Sequence, residues 1–160
     1  MNRPTSNKKT GSQKARNSAA RLLAVQTVYQ MHKNDQDAET AIREYLEHRA
    51  GVDIDGAEDD KSEMVTPDAD HYALVVRGVT EHMAQLGEMV TLNRGKDLNA
   101  NEPLLNAIFL CGAFELMVLQ SIDAPVIISD YVHVAQAFYE AGESKLTNAL
   151  LDSIKKTVRD

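Results

Sequence analysis

The chain has 160 residues, of which 43% are hydrophobic, and its 17 Lys and Arg against 24 Asp and Glu give a formal net charge of −7. A chain of this length reads as one domain able to bury about two-thirds of its unfolded surface without help from disulfides or metals. The single cysteine, Cys111, excludes an internal bridge, and the absence of a secretory leader or of any run of about 18–20 apolar residues leads us to expect a soluble, cytoplasmic protein.

The charge is unevenly spread. Arg3, Lys8, Lys9, Lys14, Arg16 and Arg21 meet no acidic residue before Asp35, whereas the rest of the chain holds 11 basic against 24 acidic residues. A short cationic arm can hold a polyanion that the whole protein would repel. Residues 1–11 contain almost nothing to bury and read as a disordered basic arm. Residues 12–160 read as a single all-helical domain. The first helix is predicted from Ser12 to Lys33, because Ala20, Leu23, Ala24 and Val28 recur at three- and four-residue spacing.

Asn34-Asp35 ends that helix, and Asp35 or Asp37 can cap a second one running through Glu47, with Gly51 as its C′ residue. Asp53, Asp55, Glu58, Asp59, Asp60 and Glu63 against Lys61 read as an exposed acidic loop over 52–66. Pro67-Asp68 starts a third helix that carries apolar residues through Val90. Gly78 inside it costs about 1 kcal/mol against Ala, which a close helix crossing would explain. Residues 93–100 form a turn, Asn101 fits an N-cap and Pro103 a first turn. The fourth helix, to Gln120, is apolar nearly all round and must be central. Asp123-Ala124-Pro125 stops it. A further helix spans Ser129 to Tyr139 with Asp130 supporting its start, Gly142 breaks it, and a last helix runs from Glu143 to Val158. No segment sustains period-two alternation. The expected fold class is therefore all-α, a compact bundle of about six or seven helices.

Catalytic and metal signatures are missing. His32, His48, His71, His82 and His133 are scattered without zinc-ligand spacing, the acidic run lacks the alternation of a calcium loop, and no phosphate-binding glycine motif or nucleophile elbow occurs. Cys111 lies in the most apolar helix and reads as an inert buried thiol. The expectation is a non-enzyme without cofactor.

Three segments together resemble the NusB family of transcription antitermination factors. They are Ala20-Arg21-Leu22-Leu23-Ala24-Val25-Gln26-Thr27-Val28-Tyr29-Gln30, then Tyr72-Ala73-Leu74-Val75-Val76-Arg77-Gly78-Val79, then an ordered series. That series is Phe114-Glu115-Leu116, Asp123-Ala124-Pro125, Ile128-Ser129-Asp130, Ala135-Gln136-Ala137-Phe138 and Asn148-Ala149-Leu150-Leu151-Asp152. The resemblance implies two packed three-helix halves. It also implies binding of a boxA-type RNA together with NusE, a small-subunit ribosomal protein. This chain departs from the pattern in places: Asn17-Ser18-Ala19-Ala20 stand in the basic lead, Leu104, Leu105 and Leu110 where charge is usual, and Leu146-Thr147-Asn148-Ala149 where the family carries an aromatic.

On this reading the candidate RNA-binding residues are Lys8, Lys9, Lys14, Arg16 and Arg21, with Lys145 and Asn148, which share a face of the last helix at i,i+3. Lys and Arg supply salt-sensitive phosphate contacts, while single-stranded RNA is read by stacking and by base-edge hydrogen bonds. The candidate partner-binding residues are Tyr29, Leu104, Leu105 and Leu110. If exposed, the leucines imply a protein partner or a homodimer; if buried, they enlarge the core. Lys155, Lys156 and Arg159 suit the dipole of the last helix.

Overall fold

Ser12 starts the first helix as its composition demands: the hydroxyl accepts from the Ala15 N–H at 3.0 Å, satisfying one of the first-turn donors. The computed structural model describes residues 9–59, 65–98 and 101–159, with the side chains of 49–59 left out. Among the described residues seven helices follow in order: α1 (Gln13–Asn34), α2 (Ala38–Asp59), α3 (Ala69–Glu81), α4 (Met83–Arg94), α5 (Pro103–Val118), α6 (Ala124–Phe138) and α7 (Ala141–Val158). The protein is an all-α bundle. Helices α1 to α3 pack together, α6 packs on α7, and α5 runs between the two groups, touching α1, α3, α4, α6 and α7.

The apolar circumference of α5 fits that place. Ala107, Ile108, Phe109, Leu110, Cys111, Ala113 and Leu116 are fully buried. Gly78 of α3 meets α5 face to face, since a Cβ there would lie 2.1 Å from the Phe114 ring. The glycine thus lets two helices approach as the sequence implied. Gly112 of α5 gives similar room to Leu151 of α7.

Five boundaries differ from expectation. The predicted third helix divides at His82, whose backbone leaves helical geometry (φ −110°, ψ 21°); its ring packs on Phe114 with centroids 5.8 Å apart. Helix α2 continues past Gly51 to Asp59, so 52–59 is helical backbone rather than loop; the internal glycines weaken a helix but do not end it. Residues 60–64 lie outside the described residues. Helix α6 begins at Ala124, because Pro125 occupies the first turn that proline favours, and burial of Ile127 outweighs the β-branched preference of Val126-Ile127-Ile128. Asp130 is accordingly inside α6 and caps nothing. Gly142 falls in the first turn of α7, and Glu102, not Asn101, stands at the N-cap of α5.

Arg159 has a role other than the dipole of its own helix. Its guanidinium donates to the carbonyls of Leu116 (2.8 Å), Leu119 (3.0 Å) and Ile122 (2.7 Å). It closes the C-terminal end of α5, where backbone acceptors lack helical partners. Among the described residues no helix is long and apolar enough to cross a membrane.

Candidate nucleic-acid interface

The chain entering α1 is fastened by a clasp. Thr66 N–H donates to the Thr10 carbonyl at 2.8 Å, and Thr10 N–H donates to the Thr66 hydroxyl at 3.1 Å. Arg16 Nε donates to the Thr66 carbonyl at 2.9 Å, and Gln13 Nε2 donates to Asp68 Oδ2 at 2.8 Å. Residues 9–11 of the predicted disordered arm are therefore placed against 65–68. Arg16 is 8% exposed and spends its donors inside this clasp, so it does not offer the free guanidinium expected of a phosphate ligand. Lys9 and Lys14 project into solvent. Lys8 lies outside the described residues.

Arg21 is a clearer correction. It is 2% exposed and lies at the meeting of α1, α5 and α6. Nε and Nη2 donate to the two oxygens of Glu115, each at 3.0 Å, and Nη1 donates to Asp130 Oδ2 at 2.7 Å. Glu115 is fully buried and also accepts from Tyr131 Oη at 2.6 Å; His71 Nε2 stands 3.1 Å away. Ser18 Oγ donates to Asp130 Oδ2 at 2.8 Å. Burial opposes the charge on Arg21, but the bonds and field of Glu115 outweigh it and hold the guanidinium above its ordinary pKa. Burial likewise pushes Glu115 up, and His71 and Arg21 more than reverse this, keeping it below its ordinary 4.5. Burial beside Glu115 drives the Tyr131 phenol well up. A buried fork–fork pair of this kind is architecture: it joins the N-terminal helices to the central one. The sequence did carry a signal for it, because a carboxylate at Glu115 amid the most apolar helix requires a partner.

On the far side of α6, Lys145 and Asn148 of α7 are exposed, while Thr147 between them is buried. The pair therefore shares an outward face, as its spacing predicted. Ser129 and His133 of α6 are exposed, and Ser18 of α1 reaches α6 through Asp130.

The predicted partner residues separate. Leu110 is 0% and Leu105 4% exposed, so Leu110 belongs to the core and forms no surface strip. Tyr29 and Leu104 are half-buried and line two adjoining hollows. The first, of about 470 Å³, is bounded by Tyr29, Tyr45, Leu104 and Phe138. The second, of about 550 Å³, adds Leu105, Tyr139 and Leu146. Phe138 remains 42% exposed at the edge. The Tyr29 ring also carries Lys33 Nζ 5.7 Å from its centroid. Among the described residues no His, Cys, Asp and Glu side chains gather as a metal site would need.

The sequence pattern of the NusB family matches residues 18–156. The chain is 34% identical over 145 residues to the transcription antitermination protein NusB of Caulobacter vibrioides, covering 89% of this chain and 94% of that one. It is 37% identical over 153 residues to the protein of the same name from Rhizobium etli, covering 94% and 91%. The solved structure of T. maritima NusB shares the fold, with a TM-score of 0.69 at 19% identity over 88% of this chain and 90% of its own. With a family pattern that spans nearly the whole helical bundle and relatives above 30% identity along almost their full length, the chain belongs to the NusB family.

Proposed function

We propose that this protein is a non-enzymatic transcription antitermination factor, acting in the cytoplasm, that holds a boxA-like RNA on the surface formed by the start of α1 and the outer faces of α6 and α7, and a ribosomal-protein partner, NusE, in the Tyr29–Leu104 hollows. The relatives named for antitermination support the general role. One structural observation carries the RNA assignment. Lys9, Lys14, Lys145 and Asn148 remain exposed on elements that α6 draws together, whereas Arg16 and Arg21 are consumed by internal acceptors. Exposed lysines on elements that α6 contacts can attract a polyanion there although the net charge of the protein is negative.

The apolar, aromatic lining of the Tyr29–Leu104 hollows favours a protein contact, and it also supports a second reading, an interaction module of the same fold that binds protein, including a second copy of itself, without RNA. Electrophoretic binding to boxA and scrambled RNA at two salt concentrations, with and without purified NusE, separates the two. The proposal expects boxA-selective, salt-sensitive binding that NusE strengthens. NusE capture with no RNA preference would favour the second reading.

A further inference from the structure

Helices α6 and α7 enclose a cavity of about 380 Å³ that faces outward beside the exposed Asn148. Its size falls within the roughly 300–1,000 Å³ typical of small-ligand sites. The α6 side supplies Pro125, Ile128 and Val132, three apolar side chains at helical spacing, which form the floor. Ser129 and His133, one turn apart on α6, face Asn148 and Lys155 of α7 across it. Asp152 also lines the cavity, with its carboxylate 3.2 Å from Lys156 Nζ. Among the described residues, the side chains of Ser129, His133 and Asn148 have no hydrogen-bond or ion-pair partner.

We infer that this cavity takes one unstacked base of the bound RNA strand. The inference rests on the RNA reading above and deepens it by naming where a base is read. Recognition of single-stranded RNA needs an apolar surface for the ring, donors and acceptors at its edge, and cations for the flanking phosphates. The apolar floor supplies the first. The Asn148 amide, the Ser129 hydroxyl and the His133 ring supply donors and acceptors of both kinds. Lys155 stands on the rim and Lys145 one turn before Asn148. Helix α1 packs beside α6 here, because Asp130, next to Ser129, receives Ser18 and the buried Arg21. A helical peptide would need a longer apolar stripe with anchors over several turns. Here three apolar side chains are bounded by polar and charged groups, which fits a flat ring with polar edges.

The test uses the full chain with boxA-like RNA and a series of the same RNA made abasic at single positions. His133→Ala and Asn148→Ala each weaken binding to intact RNA about 10-fold, equivalent to about 1.4 kcal/mol. Their effect disappears on the RNA that is abasic at one position and persists on the others, a coupling that a general loss of charge would not produce. The salt dependence stays that of the unaltered protein, since neither residue neutralises a phosphate. Both positions are exposed, and thermal melts establish that the variants fold. Equal losses on every RNA of the series, or no loss on any, overturn the base pocket while leaving RNA binding intact. Failure of the unaltered chain to bind any of these RNAs overturns the RNA reading and the pocket with it.

Discussion

Lys14 and Arg21 stand two turns apart on α1 with the same charge and opposite surroundings. Lys14 is in solvent; Arg21 is 2% exposed between two helices. The difference lies in what crosses α1 at each point. At Lys14 the neighbouring chain is the Thr10–Thr66 clasp, which provides the Thr66 backbone carbonyl to Arg16 and leaves the lysine outside. At Arg21, α5 and α6 bring carboxylates from 94 and 109 residues away. A planar guanidinium can satisfy Glu115 with two parallel bonds and still reach Asp130, which an ammonium could not do in the same geometry. Charge sign at the head of this chain therefore covers two situations, one that binds the fold to itself and one left in solvent, where the proposed RNA would meet it.

The sharpest way to break that contrast is to remove the buried member. Arg21→Met leaves Glu115 buried without its fork, and urea unfolding should show a loss of about 3–5 kcal/mol. Adding Glu115→Leu should recover most of that loss, because an apolar pair removes the uncompensated charge. Gly78→Ala, at the crossing of α3 on α5, should cost about 1–3 kcal/mol by overpacking against Phe114, and Phe114→Leu in the same chain should relieve part of it.

Acid provides a gentler probe. The folded pKa of Glu115 lies below its ordinary 4.5, so its contribution to stability is present above that value and is lost as pH falls through the folded pKa. Unfolding midpoints measured from about pH 6 down to about pH 3 should fall, and Arg21→Met should flatten the dependence. The smallest effect on stability belongs to Lys14→Ala, within about 0.5 kcal/mol. The same variant should nevertheless lower the slope of log K against log salt by about 0.7 for RNA.

The helical class, the central place of α5 and the close approach at Gly78 were legible in the sequence because each depends on local spacing. The breaks were not. Nothing at His82 marks an end, since it carries neither proline nor glycine and is stopped by packing on Phe114. Pro125 was read as a stop for the preceding helix when it also begins the next. The positive charge at Lys9, Lys14 and Lys145 was legible in the sequence, but the division between bound and free cations was not. That division depends on partners distant in the chain, and only Glu115, a carboxylate in an apolar run, announced one. Leu110 fails as a surface residue for the same reason: an all-round apolar helix does not reveal which side faces the bundle edge.

The division of cations can be tested in one titration. The salt dependence of RNA binding should be compared between the unaltered chain and a Lys9→Ala, Lys14→Ala, Lys145→Ala variant, with unfolding measured on both. The account predicts an unchanged unfolding midpoint and a slope lower by about 2, the sum of about 0.7 for each lost phosphate contact. An unchanged slope would contradict it.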